Sequence, residues 1–251
     1  MTLPLLRPDW PAPPGVGAAM SLRDGGVSSG PWRSLNLGLA VGDEPQAVAE
    51  NRARWAATLG ARPVWLHQVH GVNVLRLSGP SPADTDEPAD AVWSTEPGLA
   101  CNVQVADCMP VLFAAHDGRA VAAAHAGWRG LAAGVLEATL RALHQGAGVA
   151  PGEVIAWLGP CIGPRQFEVG AEVLEGFGQS PASADPSAFV CSPGRKGVPR
   201  WRANLHQLAR QRLVAAGVLH ISQDPACTAE EESRFFSFRR DGVTGRLAAA
   251  V

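Results

Sequence analysis

The chain has 251 residues, of which 46% are hydrophobic and 18% are charged, and its formal net charge is −2. That length fits one α/β or all-β domain with a sizeable core. Arginine supplies every basic side chain except Lys196, without a basic run or stripe, so a nucleic-acid partner is not expected. No apolar run reaches the ~18 residues that a membrane span needs, so a membrane partner is not expected either.

Residues 1–19 are rich in proline and lack the basic and long apolar segments of an export signal. They are predicted to form a Pro-rich surface arm, followed by a single catalytic domain over residues 20–251. Without an export signal we expect a cytoplasmic location, and cysteines that are free thiols or ligands rather than disulfides. The five cysteines are Cys101, Cys108, Cys161, Cys191 and Cys227.

Hydrophobic periodicity predicts a helix over residues 45–59 that ends at Gly60. Short β-rich runs separated by Gly, Pro and Asp clusters follow, over 64–69, 72–77, 91–94, 100–105, 111–115 and 120–124. One helix ending at Gly146 is predicted next, then a strand over 154–158 and helices over 169–177 and 204–216. Because hairpin-like spacing dominates the middle, the predicted fold class is α+β, a single domain with mixed β-sheets flanked by helices.

The segment Gly26-Val27-Ser28-Ser29-Gly30 has the G-x-S-x-G pattern of a nucleophile elbow. An elbow needs a buried strand before it and a helix after it. Here the polar residues 23–25 precede the pattern and Pro31-Trp32 follows it. The segment is therefore predicted to be a turn.

Three segments each place a ligand-type residue at the end of a β-like run, beside glycine or proline: QVHGVNV with His70, VADCMPVLF with Cys108, and AAAHAGWRG with His125. Two imidazoles and a thiolate are a usable zinc set, and three protein ligands with an open fourth position are typical of a catalytic site. A nucleophilic Cys108–His125 pair fits the same residues. So does a structural role, as a small buried thiol and core histidines. The spacings alone leave these alternatives open.

The stretch WLHQVHG contains two histidines three residues apart. A helix would place His67 and His70 on one face, whereas a strand sends them to opposite faces. Since a strand is predicted here, only one of the two is expected to reach a common centre with Cys108 and His125.

Eight segments carry specific motifs in one order: SLNLGLAVGDEP, ENRAR, WLHQVHG, ADAVWST-x-PG, VADCMPVLF, AAAHAGWRGLAAGV, AWLGPCIGPRQFEVG and FFSFRRDGVTGR. In this order they resemble the bacterial polyphenol-oxidase (laccase-domain) family, also known as peptidoglycan editing factor and as a purine nucleoside phosphorylase. The resemblance spans about residues 20–250. It departs at MSLRDGGVS, where the family more usually begins with Thr-Thr-Arg, although Arg23 is kept.

The resemblance implies a mixed sheet flanked by helices and a zinc centre held by His70, Cys108 and His125, with His67 as a neighbour. It also implies phosphorolysis of adenosine, inosine and methylthioadenosine to the free base and ribose 1-phosphate, with adenosine deamination as a second reaction. The laccase name implies copper and phenol oxidation. Several coppers need many histidines and this chain has seven, scattered, so copper is less expected than zinc.

Deamination requires a proton shuttle, and the sequence lacks the H-x-E pattern of known zinc deaminases. Asp107, beside Cys108, and Gln68, within the WLHQVHG stretch, are the candidates. A turn-capping role is the alternative for Asp107, since aspartate commonly stabilises turns.

Phosphorolysis requires a phosphate site, for which guanidinium groups are suited. Arg129 lies four residues after His125 at a predicted helix start, where backbone amides add anion affinity. Arg23, Arg52 and Asn36 are further candidate substrate contacts. Surface ion pairs are the alternative for the arginines, most strongly for Arg52, and turn formation is the alternative for Asn36.

Three functions remain in view. The leading prediction is a zinc-dependent purine nucleoside enzyme whose partners are small molecules, a nucleoside and phosphate. The rival is a peptidoglycan-precursor editing hydrolase that uses Cys108 and His125. The third is a non-enzymatic metal-binding module, which has little support because no interaction stripe or tail is evident, and no obligate protein partner is predicted.

Overall fold

A computed structural model of the chain describes residues 3–192, 194 and 198–251. Its α-helices are α1 Pro45–Leu59, α2 Trp128–Ala133, α3 Val135–Ala147, α4 Ala171–Gly176, α5 Leu205–Ala215 and α6 Phe238–Asp241. Its strands are β1 Leu5–Leu6, β2 Ala19–Ser21, β3 Arg62–His67, β4 Val74–Arg76, β5 Asp84–Pro88, β6 Ala91–Ser94, β7 Leu99–Val105, β8 Met109–Ala115, β9 Val121–Ala126, β10 Val154–Leu158, β11 Glu168–Val169, β12 Phe189–Ser192, β13 Arg200–Ala203, β14 His220–Gln223 and β15 Leu247–Ala250.

Most of these strands form two six-stranded mixed sheets. The first sheet has the order β1-β2-β15-β7-β3-β5, and its β3 is parallel to both β7 and β5. The second has the order β14-β10-β8-β9-β6-β4, with parallel pairs at its two edges. The strands β11-β13-β12 form a separate small antiparallel sheet. These mixed sheets and their flanking helices confirm the predicted α+β class.

The two large sheets pack face to face between layers of helix. Successive side chains of a strand point to opposite faces, and β15 follows this rule: Leu247 and Ala249 lie between the sheets, whereas Ala248 and Ala250 face the layer that contains Trp55 of α1. The outer face of the second sheet is covered by apolar residues of α2, α3, α4 and α5. The core therefore has three apolar layers: one between the two large sheets and one on the outer face of each sheet, beneath its helices.

The prediction of one uninterrupted helix that ends at Gly146 is wrong at both points. Gly134 has a φ of 100° and divides the segment into α2 and α3. The second helix continues past Gly146, which is needed inside it because a Cβ there would lie 2.1 Å from the Trp93 ring. The helix predicted over 169–177 is also shorter than expected, since Glu168–Val169 is a strand and Gly170 precedes α4.

Part of the proline-rich N-terminal segment packs onto the first sheet. Leu5–Leu6 pairs with β2, and Leu3 and Leu6 are buried. These residues correct the expectation that the whole segment lies on the surface, because their apolar side chains join the core. The division of the chain at residue 20 remains a prediction.

The G-x-S-x-G segment is a loop that leads into a short 3-10 helix at Gly30, and it has no strand directly before it, so it is not a nucleophile elbow. The Ser28 hydroxyl is buried and donates to Asp43 Oδ2 at 2.6 Å, and it accepts from Asn51 Nδ2 at 2.9 Å. These bonds tie the loop to α1. Within the described ranges, no helix combines the length and the apolar character needed to cross a membrane.

Candidate metal centre

Two turns and the end of a strand bring the expected ligands together at one edge of the sheet pair. His70 follows β3 of the first sheet, Cys108 links β7 to β8, and His125 lies in β9 of the second sheet. Their ligand atoms all lie within 4.8 Å of one another. The His70 Nε2 to Cys108 Sγ distance is 3.7 Å, and the two imidazole centroids are 4.7 Å apart.

The donor chemistry and the space between the donors fit a metal ion. Imidazole nitrogen with thiolate sulfur is a zinc-type ligand set. Gly127 packs against two of the candidate ligands, and a Cβ there would come within 2.8 Å of His70 Cδ2 and 2.9 Å of Cys108 Sγ. The glycine therefore keeps open the space in which an ion would bind. His67, at the end of β3, is exposed and hydrogen-bonds Asp86 instead of joining the cluster.

Asp90 holds two of the three ligands in place. Its carboxylate accepts hydrogen bonds from the backbone N–H groups of residues 69, 70 and 71 at 3.1, 2.8 and 2.6 Å. It also lies 2.8 Å from His125 Nδ1, so the Nε2 of that ring is left to face the cluster. A carboxylate behind a ligating histidine fixes the ring orientation and strengthens the ligand. Asp90 is not among the residues predicted from the sequence, although it lies in the ADAVWST motif.

His70 occupies an uncommon backbone conformation, with φ at 63°. Non-glycine residues rarely adopt the left-handed region, and where they do, surrounding contacts hold them there. Here the Asp90 carboxylate, itself fully buried, supplies those contacts. Because β3 ends at His67, strand alternation does not extend to His70, whose ring direction is set by this turn.

The charges and hydrogen bonds of Cys108, His125 and Asp90 shift one another's pKa values towards the ionised forms. Although burial alone would raise it, the pKa of Cys108 is lowered to about 6 by the charge and hydrogen bonds of His125 and by His70. Burial alone would lower the pKa of His125, but Cys108 and Asp90 raise it to about 9. Burial also acts to raise the pKa of Asp90, yet hydrogen bonds from His125 and the backbone lower it. The metal-free centre therefore holds a thiolate beside an imidazolium at neutral pH.

Alkylation of the metal-free protein should follow that thiolate. We expect the rate at Cys108 to rise with pH through a midpoint near 6 and to level above it, since the thiolate is the reactive form. An ordinary thiol has its midpoint at about 8.5. Iodoacetamide modification followed by mass spectrometry, in a Cys191→Ser background that lacks the exposed thiol, measures this rate. A midpoint above 8 would contradict the ion pair, and zinc should protect the thiol.

Gly127→Ala should weaken metal binding without unfolding the protein. The added methyl group enters the space between His70 and Cys108, whereas the φ of −67° at Gly127 suits alanine. We expect a loss of about tenfold or more in zinc affinity, in the range seen when metal ligands are disturbed. Competition with a chromophoric chelator measures it, and Gly17→Ala, where a Cβ meets nothing within 4 Å, is the control. Equal zinc affinities of Gly127→Ala and Gly17→Ala would show that the small size of Gly127 is not needed for metal binding.

The cluster lies in the wall of a cavity of about 570 Å³. Of the sequence-derived candidates, the cavity is lined by His70, Cys108, His125, Asp107, Gln68 and Arg52. It is also lined by residues that the sequence analysis did not single out, among them Trp65, Gln104, Phe238, Arg239 and Arg246.

The two candidate proton shuttles are engaged in hydrogen bonds that shape the loops. The Gln68 amide donates to Gln104 O at 2.9 Å and accepts from Gln104 N at 2.7 Å. The Asp107 carboxylate accepts from Thr228 Oγ1 and from the Arg239 N–H, both at 2.6 Å, and the φ of Asp107 is 86°. These contacts favour the turn-stabilising alternative for Asp107.

The structure brings one of the four other candidates to the cavity. Arg52 lies on its wall, over the Trp65 ring at 4.0 Å, and forms an ion pair with Asp84 at 2.6 Å. Arg129 does not line the cavity, because α2 turns its side chain outward over the Trp128 ring.

Arg23 and Asn36 also lie outside the cavity wall. Arg23 donates to Arg33 O at 2.9 Å and lies over the Phe236 ring. Asn36 is fully buried and accepts from Arg246 N at 2.8 Å, so it positions a cavity residue from behind.

The fold and the cluster together define a candidate metalloprotein of α+β architecture. The chain belongs to the family described as multi-copper polyphenol oxidoreductase laccase, whose model matches residues 17–251. It is 51% identical to purine nucleoside phosphorylase PA4543 of Pseudomonas aeruginosa, over 98% of this chain and 97% of that protein. It is 50% identical to purine nucleoside phosphorylase YfiH of Escherichia coli, over 98% of each chain.

Solved structures share the fold. Neisseria meningitidis protein NMB0706 superposes with a TM-score of 0.86 at 42% identity, over 98% of this chain and 97% of that one. YlmD of Geobacillus stearothermophilus superposes with a TM-score of 0.87 at 34% identity, over 98% and 94% of the two chains.

Proposed function

We propose that the protein is a zinc-dependent purine nucleoside phosphorylase that accepts adenosine, inosine and methylthioadenosine and also deaminates adenosine. The observation that carries this proposal is the His70–Cys108–His125 cluster in the wall of a cavity of about 570 Å³. The names of the relatives at 50% and 51% identity support the same reaction.

The chain's own residues supply binding and orientation. His70, Cys108 and His125 would hold the ion, and Asp90 orients the ring of His125 and the turn of His70. When bound, zinc supplies Lewis acidity and lowers the pKa of a bound water to about 7. Two imidazoles and one thiolate fit zinc with an open fourth position, and the same set binds copper in electron-transfer sites. We propose zinc because the reaction named for the relatives, phosphorolysis, transfers no electrons and needs no redox metal.

The cavity combines the surfaces that a nucleoside and an anion require. Apolar side chains such as Ile162, Phe167 and Phe238 line it and offer apolar surface for a purine base.

In phosphorolysis a phosphate oxygen forms a bond to C1′ as the bond from C1′ to the purine nitrogen breaks. The electron pair leaves with the base, which takes up a proton, and ribose 1-phosphate remains.

Two measurements test the proposal directly. Elemental analysis of the purified protein should find about one zinc per chain. Hypoxanthine release from inosine should require phosphate and should disappear when a chelator removes the metal. Release that is fully independent of phosphate would overturn the phosphorylase assignment, and copper with phenol oxidation would replace it by the laccase activity.

One observation favours a second candidate, a hydrolase that edits peptidoglycan precursors. The lowered pKa of Cys108 beside His125, with Asp90 behind the imidazole, is the arrangement of an activated thiol nucleophile. Full activity of metal-free protein on an amide substrate, together with its loss on alkylation of Cys108, would favour this candidate.

We also propose a cytoplasmic location, since all five cysteines are free thiols.

A further inference from the structure

Three arginines line the cavity beside the metal-ligand cluster, and they differ in how their charge is balanced. Arg52 is neutralised by Asp84. Arg239 and Arg246 form no ion pair with any carboxylate of the described residues. Two arginines without a salt-bridge partner among the described residues thus line the same cavity as His70 and Cys108.

The backbone and the start of the side chain of Arg246 are held in place by the segment of residues 36–38. Its backbone N–H donates to Asn36 Oδ1 at 2.8 Å, and its carbonyl accepts from Leu37 N at 3.0 Å. Its side-chain stem crosses Gly38, where a Cβ would lie 2.6 Å from Arg246 Cγ. The position therefore requires a glycine beneath the arginine.

Only one of the three guanidinium nitrogens of Arg246 donates hydrogen bonds to the described residues. Nη1 donates to the carbonyls of Thr244 and Gly245 at 3.3 and 3.1 Å, and within the described part of the chain Nε and Nη2 have no acceptor. Burial lowers the pKa of Arg246, partly offset by the charges of Cys108 and Asp107. Because Nε and Nη2 have no protein acceptor among the described residues and are not buried, an anion in the cavity would accept hydrogen bonds from both.

Arg239 is anchored to the same loop as the metal ligand Cys108. Its backbone N–H donates to Asp107 Oδ2 at 2.6 Å, and Nη1 caps the carbonyls of Gln166 and Glu168 at 3.2 and 3.1 Å. Its guanidinium lies over the Phe167 ring. The side chain is more exposed than that of Arg246, which places its charge on the solvent side of the cavity.

We infer that Arg246, assisted by Arg239, forms an oxyanion subsite that binds inorganic phosphate beside the metal centre. A guanidinium presents paired N–H donors that match phosphate oxygens, and phosphate is the co-substrate of the proposed reaction. The subsite differs from the Arg129 site that the sequence predicts. Its role in turnover rests on the proposed function, whereas phosphate binding does not.

Phosphate binding to the zinc-loaded protein tests the subsite without turnover. Isothermal titration with inorganic phosphate should show binding by the wild type and a loss of about tenfold or more for Arg246→Gln, as expected for charge-assisted hydrogen bonds. Arg246→Lys should retain part of the affinity, because it keeps the charge but not the paired donors. Arg141→Gln, an exposed arginine of α3 outside the cavity, is the control and should match the wild type.

Equal phosphate affinities for Arg246→Gln and Arg141→Gln would overturn the inference. So would binding of AMP at this subsite with no binding of free phosphate, since the anion would then be a nucleotide phosphate. If Arg246→Gln does not fold, the comparison of Arg246→Lys with wild type decides, because equal affinity would also overturn it.

Kinetics separate this inference from the proposed function. In Arg246→Gln the KM for phosphate should rise about tenfold or more, and by a larger factor than the KM for inosine, whereas Arg141→Gln should change neither. Phosphorolysis with an unchanged phosphate KM would reject the subsite and leave the function standing. Phosphate binding that depends on Arg246 in a protein without phosphorolysis would support the subsite and reject the function.

Discussion

Cys108→Ala should release the metal and abolish the nucleoside activity. The thiolate is the anionic donor of the cluster, and without it two imidazoles remain. We expect metal content to fall from about one ion per chain to near zero after dialysis, and activity to fall by about a hundredfold or more. The metal-free protein should also lose stability at neutral pH, because the buried imidazolium of His125 loses its thiolate partner.

Elemental analysis and hypoxanthine release measure both effects on the same samples. Cys191→Ala is the matched control, since Cys191 is an exposed cysteine of β12 that does not line the cavity. Cys108→Ala protein that keeps its metal would show that the sulfur is not a ligand. Protein that loses the metal but keeps its activity would remove the metal from the reaction.

Asp90→Asn should cost both stability and metal affinity. The carboxylate accepts from three backbone N–H groups and lies beside His125 Nδ1, and an amide would turn its NH₂ group towards at least one of these donors. Disrupting a buried, hydrogen-bonded charge network of this kind should lower the free energy of unfolding by about 3 kcal/mol. Zinc affinity should fall about 10–100-fold, as for other carboxylates behind ligating histidines.

Urea unfolding of the metal-free protein measures the first effect, and competition with a chelator measures the second. Asp86→Asn provides the control, because that carboxylate is exposed on β5. If Asp90→Asn unfolds at the same urea concentration as the wild type, the carboxylate does not hold the His70 turn. If zinc affinity alone is unchanged, Asp90 supports the turn without tuning the ligands.

The structural features that were predicted from the sequence are those that depend on local residue patterns. The helix from residue 45 to 59 has the bounds expected from its apolar spacing and from Gly60. The cluster of His70, Cys108 and His125 was reached from chemistry that left alternatives open and from a family resemblance that selected one. His67 and His70 do not act as a pair, as expected, but the reason differs from the one predicted: β3 ends at His67, and His70 lies in the turn that follows.

The surroundings of the cluster were less accessible because they depend on long-range contacts. Asp90 acts on backbone N–H groups, which carry no sequence signature. Arg246 reaches the cavity because β15 lies between β2 and β7 in the sheet, and hydrophobic patterning does not encode that order. Arg129 was favoured by its nearness to His125 in sequence, but the direction of its side chain is set by how α2 packs.

The three candidate metal ligands come from both large sheets and the segment that connects them. His70 follows a strand of the first sheet, His125 belongs to the second, and Cys108 lies on the link between them. An ion held by all three would join the layers at this edge much as a covalent cross-link does. Because the ion would bind the folded arrangement and not the open chain, metal supply would set how firmly the two halves of the core stay together.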